Sequence, residues 1–286
     1  MDSIVLSEIE LKGVQTIEKD VLAHFVQICE KYNFKYFITY GTLIGVVRHK
    51  GFIPWDDDID VFMPRNDYDE FNRVASAELP DYLFLQNRKT DPEYLGGFTK
   101  IRNSNTTFIE TNYMYKKMNQ GIYIDIFPLD YCPSTRLGNL IMDCKKKLLF
   151  LRTRSEIVVV EDAIRHKKCI SGLIQLASYI LKLFYPNIDK MFSRTEKYLR
   201  NIKDNDCVCN FYAYVSKYRF PKAWFKDGIQ MKFEDIDVIA PENYDAFLKY
   251  LYDDYMKLPP EKDRATRHFV QSIDCNKSYV SYLNKL

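Results

Sequence analysis

The sequence predicts an α/β (α+β) protein whose core is interrupted by one helical insertion. Three observations predict it. Helical and strand-like patterns alternate from the N-terminal region up to Asp130. Within that part, Gly121–Phe127 sets Ile122, Ile124 and Ile126 against Tyr123, Asp125 and Phe127, the period-two pattern of a strand. From Arg136 to about Asn205 the pattern turns to long helices, and short strand patterns then return. The expected organisation is a catalytic core over 1–135, a helical insertion over 136–205, and a C-terminal segment, 206–286, that packs back on the core.

Each element follows from local chemistry. Ile17–Tyr32 places Val21, Leu22, Phe25, Val26, Ile28 and Cys29 on one helical stripe, and Asn33 ends it. Phe34–Tyr40 is aromatic and β-branched, a strand candidate. Gly41-Thr42 then opens a turn into a short helix, Leu43–His49, which Gly51, Pro54 and an acidic run break. Asp58–Met63 alternates acids with apolar residues and reads as a strand stopped by Pro64. Tyr68–Ala77 is a helix with Asn66 or Asp67 as its cap. Tyr82–Gln86, Gly97–Arg102, Thr106–Thr111 and Gly121–Phe127 are strand candidates, the last closed by Pro128. Cys169–Tyr185, preceded by Arg165, His166, Lys167 and Lys168, is the most apolar stretch. It falls short of the ~20 apolar residues of a membrane span and reads as a buried helix, with a helix lying at a membrane surface as the competing reading. Met231–Phe233 and Asp237–Ile239 are short strands, and Glu242–Tyr252 is a helix.

The totals limit the function classes. A net charge of +2 argues against wholesale nucleic-acid binding. The start, Met1-Asp2-Ser3-Ile4-Val5, lacks the basic-then-apolar pattern of a signal peptide. Seven scattered cysteines, Cys207 and Cys209 the one close pair, read as reduced thiols and so as a cytoplasmic protein. The 22 Tyr and 19 Phe supply an aromatic core, with sugar- or nucleotide-stacking surfaces as a second use.

The chemistry concentrates in Asp56-Asp57-Asp58-Ile59-Asp60. On a strand, Asp58 and Asp60 face the same way and can share a hard divalent cation, Mg²⁺ or Mn²⁺. Asp56 and Asp57 are supporting candidates. Ile59 and Val61 interleave with the acids, so half of the segment seeks a core, unlike a solvated charge run. Asp125 lies in an apolar strand, where a carboxylate is costly unless paired, bonded by backbone donors or bound to a cation. Together with Asp58 and Asp60 it would complete a two-metal ligand set. Gly41-Thr42 adds a turn whose backbone can approach a phosphate.

These elements resemble the nucleotidyltransferase superfold. The run Tyr40-Gly41-Thr42-Leu43-Ile44-Gly45-Val46-Val47-Arg48-His49-Lys50-Gly51-Phe52-Ile53-Pro54-Trp55-Asp56-Asp57-Asp58-Ile59-Asp60 resembles the signature of the LicD family of phosphocholine transferases, related to the fukutin group. The likeness continues through Phe98–Arg102, Thr107–Glu110, Gly121–Asp130, Tyr252–Pro260 and Arg267-His268. Asp253 stands where the family usually has Gly, so a different turn is expected there.

The resemblance implies a mixed sheet flanked by helices, with Asp58, Asp60 and Asp125 as catalytic metal ligands. It further implies a CDP-linked alcohol such as CDP-choline as donor and a glycan hydroxyl as acceptor, lipid-linked or not, with CMP released. Gly41, Thr42, Arg48, Trp55, Lys100 and Arg102 are the candidate substrate contacts, the cations for phosphate and Trp55 for a base or a quaternary ammonium. Each also has an ordinary role as an ion-pair or packing residue. His49 and His268 read as hydrogen-bonded structural residues. Peripheral contact at the inner face of the membrane fits a lipid-linked acceptor. The competing readings are nucleotidyl transfer from an NTP to a hydroxyl, a glycosyltransferase that gives Asp125 no role, and an inactive glycan- or nucleotide-binding module.

Overall fold

The computed structural model describes residues 6–157, 168–213, 218–266 and 268–283; Arg165, His166, Lys167 and Arg267 lie outside the described residues. Helix α1 (Glu8–Tyr32) begins ahead of the expected Ile17 because Ser7 and Glu10 form a reciprocal capping box. The Ser7 amide donates to Glu10 Oε2 at 2.8 Å, and the Glu10 amide donates to Ser7 Oγ at 3.3 Å. Asn33 closes it in the left-handed region, φ 55°. Strand β1 is only Phe37–Ile38, followed by α2 (Tyr40–Ile44) and a π-helical turn at Gly45–His49. Then come β2 (Asp60–Pro64), α3 (Arg65–Glu78), β3 (Leu83–Gln86), β4 (Thr99–Asn103), β5 (Thr107–Glu110) and β6 (Ile122–Tyr131).

The main sheet runs β3-β4-β6-β2-β1, and only β2 and β6 are parallel within it. Helices flank this mixed sheet, as the fold class required. Val21, Leu22 and Phe25 of α1 join Phe62, Ile124 and Ile126 of the central strands in one fully buried core. Pro128 does not end β6. The neighbour β4 pairs only as far as Ile126 and the next partner starts at Asp130, so the missing amide falls in a gap of the ladder.

Helices α4 (Arg136–Arg154), α5 (Lys168–Phe184) and α6 (Ile188–Arg200) follow. They are tied to the core by Arg65, whose Nε and Nη2 donate to Asp130 at 2.6 and 2.7 Å while Nη1 reaches Glu196 of α6 at 3.1 Å. Helix α3 starts at Arg65, after Pro64 and with no side-chain cap, rather than at the expected Asn66 or Asp67 cap; Asp67 Oδ1 instead accepts from the Lys35 amide at 3.1 Å. The expectation of a buried helix over Cys169–Tyr185 is corrected: Leu173, Leu176, Leu183 and Phe184 are 57–81% exposed. No helix of the described residues is long and apolar enough to cross a membrane.

The chain then rejoins the sheet. Strand β7 (Cys207–Cys209) pairs with the end of β6 and with β8 (Arg219–Pro221). Cys207 and Cys209 are free thiols. Strands β9 (Ile229–Phe233) and β10 (Ile236–Ala240) form a hairpin. Helix α7 (Tyr244–Tyr252), strand β11 (Val270–Asp274) paired to β5, and α8 (Val280–Leu283) complete the fold. After α7, Asp253 holds φ 57°, the backbone region that favours glycine. The turn therefore holds an aspartate in a conformation that favours glycine.

Candidate active site

Parallel, in-register pairing of β2 with β6 sets Asp60 beside Asp125, and β4 sets Lys100 beside Asp125 on its other flank. In-register neighbours point to the same sheet face, so the three side chains form one row. Lys100 and Asp125 are both buried, with Nζ 2.8 Å from Oδ1. The same ammonium lies 3.3 Å from the Tyr123 ring centroid, a cation–π contact that helps to hold it.

Asp58 is not part of the strand. The backbone at Asp60 is held from the side of β1 and α2: its amide donates to Thr42 Oγ1 at 2.8 Å and its carbonyl accepts from the Thr39 amide at 3.0 Å. Residues before it form a loop instead. Asp56 turns back with its amide on Ile53 O at 2.9 Å, and Gln15 Nε2 of α1 donates to Asp56 O at 3.0 Å. As a result one carboxylate oxygen from each of Asp56, Asp57 and Asp58 lies within 4.8 Å of the others. Convergence in a loop thus replaces the strand alternation expected for Asp58. Gly41 permits this approach, because a Cβ there would sit 2.6 Å from Asp56 Oδ2.

The electrostatics of the row and the loop are those of an acid cluster with too little positive charge. Burial and then the neighbouring Asp57 and Asp125 push Asp58 up to about 6, against the pull of His268 and Lys100. Asp60 is raised well above the carboxylate range by burial, followed by Asp58, Asp125 and Asp56. Burial raises Asp125 too, although Lys100 opposes it. On His268 burial works against the charge. The Asp57 carboxylate, 3.2 Å from Nδ1, then Asp58 and Glu110, nevertheless hold the imidazole proton well above its ordinary range. Its backbone amide also donates to Asp57 Oδ2 at 3.3 Å, which fits the hydrogen-bonded role read for His268.

The other predicted residues divide into two places. Arg48 and Trp55 gather beside the loop. Arg48 Nη1 donates to Tyr255 O at 2.7 Å and Nε to His49 Nε2 at 2.9 Å. Trp55 is half-buried, with the His49 ring edge-on at 6.4 Å and the Arg264 guanidinium 5.5 Å from its centroid. Burial and then Arg264 lower the Arg48 pKa, so two guanidiniums share this corner. Arg48 belongs to the π-helical turn, an irregularity frequent at functional sites. Arg102 lies elsewhere: 1% exposed, it donates to Gln86 Oε1 and to Gly121 O and covers Tyr123 at 4.4 Å. Its donors face protein acceptors within the core.

Three residues escaped the sequence reading. Glu110 is half-buried, and its Oε1 accepts a hydrogen bond from the Tyr123 hydroxyl. Lys100, His268 and Arg102 outweigh its burial and lower its pKa. Arg264 had no local pattern to mark it. Glu18 did carry a signal: it shares the helical stripe of Val14, Val21, Leu22 and Phe25, an acid where the core is expected.

Donor chemistry decides what such a site can hold. Among the described residues the donors that converge are the carboxylates of Asp56, Asp57 and Asp58, beside those of Asp60 and Asp125, and His268 Nδ1 is already engaged with Asp57. That set fits a hard divalent cation rather than a soft metal.

A glycine-containing short helix before an acid-bearing strand, with a further acid on the parallel neighbour, is the arrangement of a nucleotidyltransferase domain. Comparison with known proteins agrees: residues 33–156 match the family described as LicD/FKTN/FKRP, nucleotidyltransferase domain, and the chain carries a LicD-family domain over that span. It is similar to the lipopolysaccharide cholinephosphotransferase LicD of Haemophilus influenzae, 28% identical over 280 residues that cover 93% of this chain and 99% of that protein. Shorter similarities reach uncharacterized proteins of Rickettsia typhi, 35% over 91 residues covering 30% of this chain and 28% of that protein, and Rickettsia prowazekii, 28% over 137 residues covering 46% and 47%.

Proposed function

We propose that this protein is a LicD-like phosphotransferase. It moves phosphocholine, or a closely related phosphorylated alcohol, from a CDP-linked donor to a hydroxyl of a surface glycan such as lipopolysaccharide. The observation that carries the reading is the register of Asp60, Asp125 and Lys100 across three strands, next to the converging Asp56–Asp58 loop. The similarity over nearly the whole chain to a lipopolysaccharide cholinephosphotransferase supports the choice of substrate class.

Asp58, Asp60 and Asp125 would hold the divalent cation, Mg²⁺ or Mn²⁺. Bound there, it would supply neutralisation of the phosphate charge that otherwise repels a nucleophile. The protein's own groups do the rest. Asp125, held at 2.8 Å by Lys100 and with its pKa raised by burial, accepts the proton of the acceptor hydroxyl. That oxygen forms the new bond to phosphorus as the bond to the CMP oxygen breaks, and CMP leaves. Arg48, fixed by Tyr255 O, and Arg264 face the leaving nucleotide's phosphate, with Trp55 beside them for the base or the choline head. Positioning and charge neutralisation of this kind carry most of phosphoryl-transfer catalysis.

The exposed apolar side of α5 suits a lipid-linked acceptor, since its large side chains can rest at a membrane surface. The test of the proposal is a set of CDP-alcohols assayed for CMP release with Mg²⁺ and glycan acceptors added in turn. Acceptor-dependent CMP release from CDP-choline is expected. Labelling of an acceptor from an NTP, with pyrophosphate released, would instead establish nucleotidyl transfer.

A further inference from the structure

Glu18 has no part in the proposed reaction, yet it is an acid buried on the core side of α1. It lies on α1, one turn beyond Gln15, so the two side chains share a helix face. Gln15 fixes where that face points, because its Nε2 donates to the carbonyls of Ile53 and Asp56, at 3.4 and 3.0 Å. The carboxylate of Glu18 therefore looks onto the same loop. It is 2% exposed, and its Oε2 has no hydrogen-bond partner. The groups that act on it most strongly after burial are Asp58, Asp57 and Asp56, all of its own sign. The neighbouring Lys19 points elsewhere, pairing with Glu234 and Asp235 at 3.1 and 3.0 Å.

A buried acid with an unmatched oxygen, aimed at three more acids, either holds a proton or needs something positive between them. Gln15 is an amide and His268 is engaged with Asp57 at 3.2 Å. No side chain among the described residues bonds to Glu18 Oε2. An oxygen-rich gap of this kind matches a hard divalent cation, which takes six or more oxygen ligands and accepts water for the remainder.

We infer that Glu18 is a ligand to a divalent cation held at the Asp56–Asp58 loop, so that α1 contributes to the metal site as the sheet does. This rests on the metal-dependent reading given above. It also assigns Gln15 a role: the amide locks the loop backbone at Ile53 and Asp56 in the position from which Glu18 can reach the same ion.

The test is Mn²⁺ binding to the full chain without nucleotide, followed by loss of the free-ion signal in electron paramagnetic resonance, for wild type, Glu18→Gln and Asp125→Asn. Glu18→Gln is expected to lose one bound Mn²⁺ or to weaken binding by tenfold or more. Urea unfolding in EDTA separates ligation from a packing role. Glu18→Gln should be at least as stable as wild type there, because the substitution removes an unmatched buried charge. Unchanged Mn²⁺ binding in Glu18→Gln, with wild type binding normally, overturns the assignment and leaves the sheet acids standing. A Glu18→Gln protein that is less stable in EDTA also overturns it, showing a structural carboxylate. No Mn²⁺ binding by wild type overturns the metal reading and this inference with it.

Discussion

Replacing Asp58 by asparagine should stabilise the metal-free protein while removing its activity. The magnitude follows from the carboxyl itself, which moves from 3.8 to about 6 on folding; that gap corresponds to about 3 kcal/mol. Burial is its largest cause, with Asp57 and Asp125 adding to it. The sign is fixed by linkage. With its folded pKa raised, Asp58 favours folding below pH 3.8, loses that advantage as pH rises through about 6, and burdens the fold at neutral pH. Asparagine keeps the shape and removes the charge, at the residual cost of a partly desolvated amide. A net gain of ~1–3 kcal/mol is expected at pH 7.5 in EDTA. A divalent cation should reverse the order, since only wild type gains from it: at a thousand times its dissociation constant the gain is about 4.1 kcal/mol. Urea unfolding of both proteins, in EDTA and in Mg²⁺, measures this. A variant less stable than wild type in EDTA, or a Mg²⁺ gain equal in both, would refute the reasoning.

Gly41→Ala should lower turnover by ~10–100-fold with the fold retained, because the new Cβ would sit 2.6 Å from Asp56 Oδ2 and displace the acidic loop; steady-state kinetics beside a circular dichroism spectrum checks it. Arg65→Met leaves Asp130, 1% exposed, without its bidentate partner and should cost ~3–5 kcal/mol in urea unfolding; a loss under 1 kcal/mol would show the pair to be dispensable. Asp253→Gly should stabilise by about 1 kcal/mol, since φ 57° there suits glycine; no rise in the unfolding midpoint would mean the aspartate side chain compensates.

Much of the site was legible because its chemistry follows strand periodicity. Asp125 stood out as an acid among isoleucines, and β6 proved to be buried on both faces, Ile122, Ile124 and Ile126 as well as Tyr123, Asp125 and Phe127. What the sequence withheld depended on pairing and on loop closure. Asp58 falls outside β2 because backbone bonds from Thr39 and Thr42 fix the strand's start at Asp60, contacts that no local pattern encodes. Arg102 looked like a twin of Lys100 on one strand face, but only Lys100 meets Asp125; Arg102 is one pair further along, over Tyr123. Helix α5 was misread because apolar composition measures what a helix prefers to contact, not whether the fold covers it. Glu18 and Arg264 reach the site from distant parts of the chain, through tertiary packing alone.

The most direct test of the three-strand acid site is the rate of CMP release from CDP-choline by Asp125→Asn, with Mg²⁺ and acceptor saturating and the folded fraction matched to wild type. Removal of the carboxylate that sits between Asp60 and Lys100 should lower the rate by at least ~10²-fold. Full metal-dependent turnover in that variant would contradict the account.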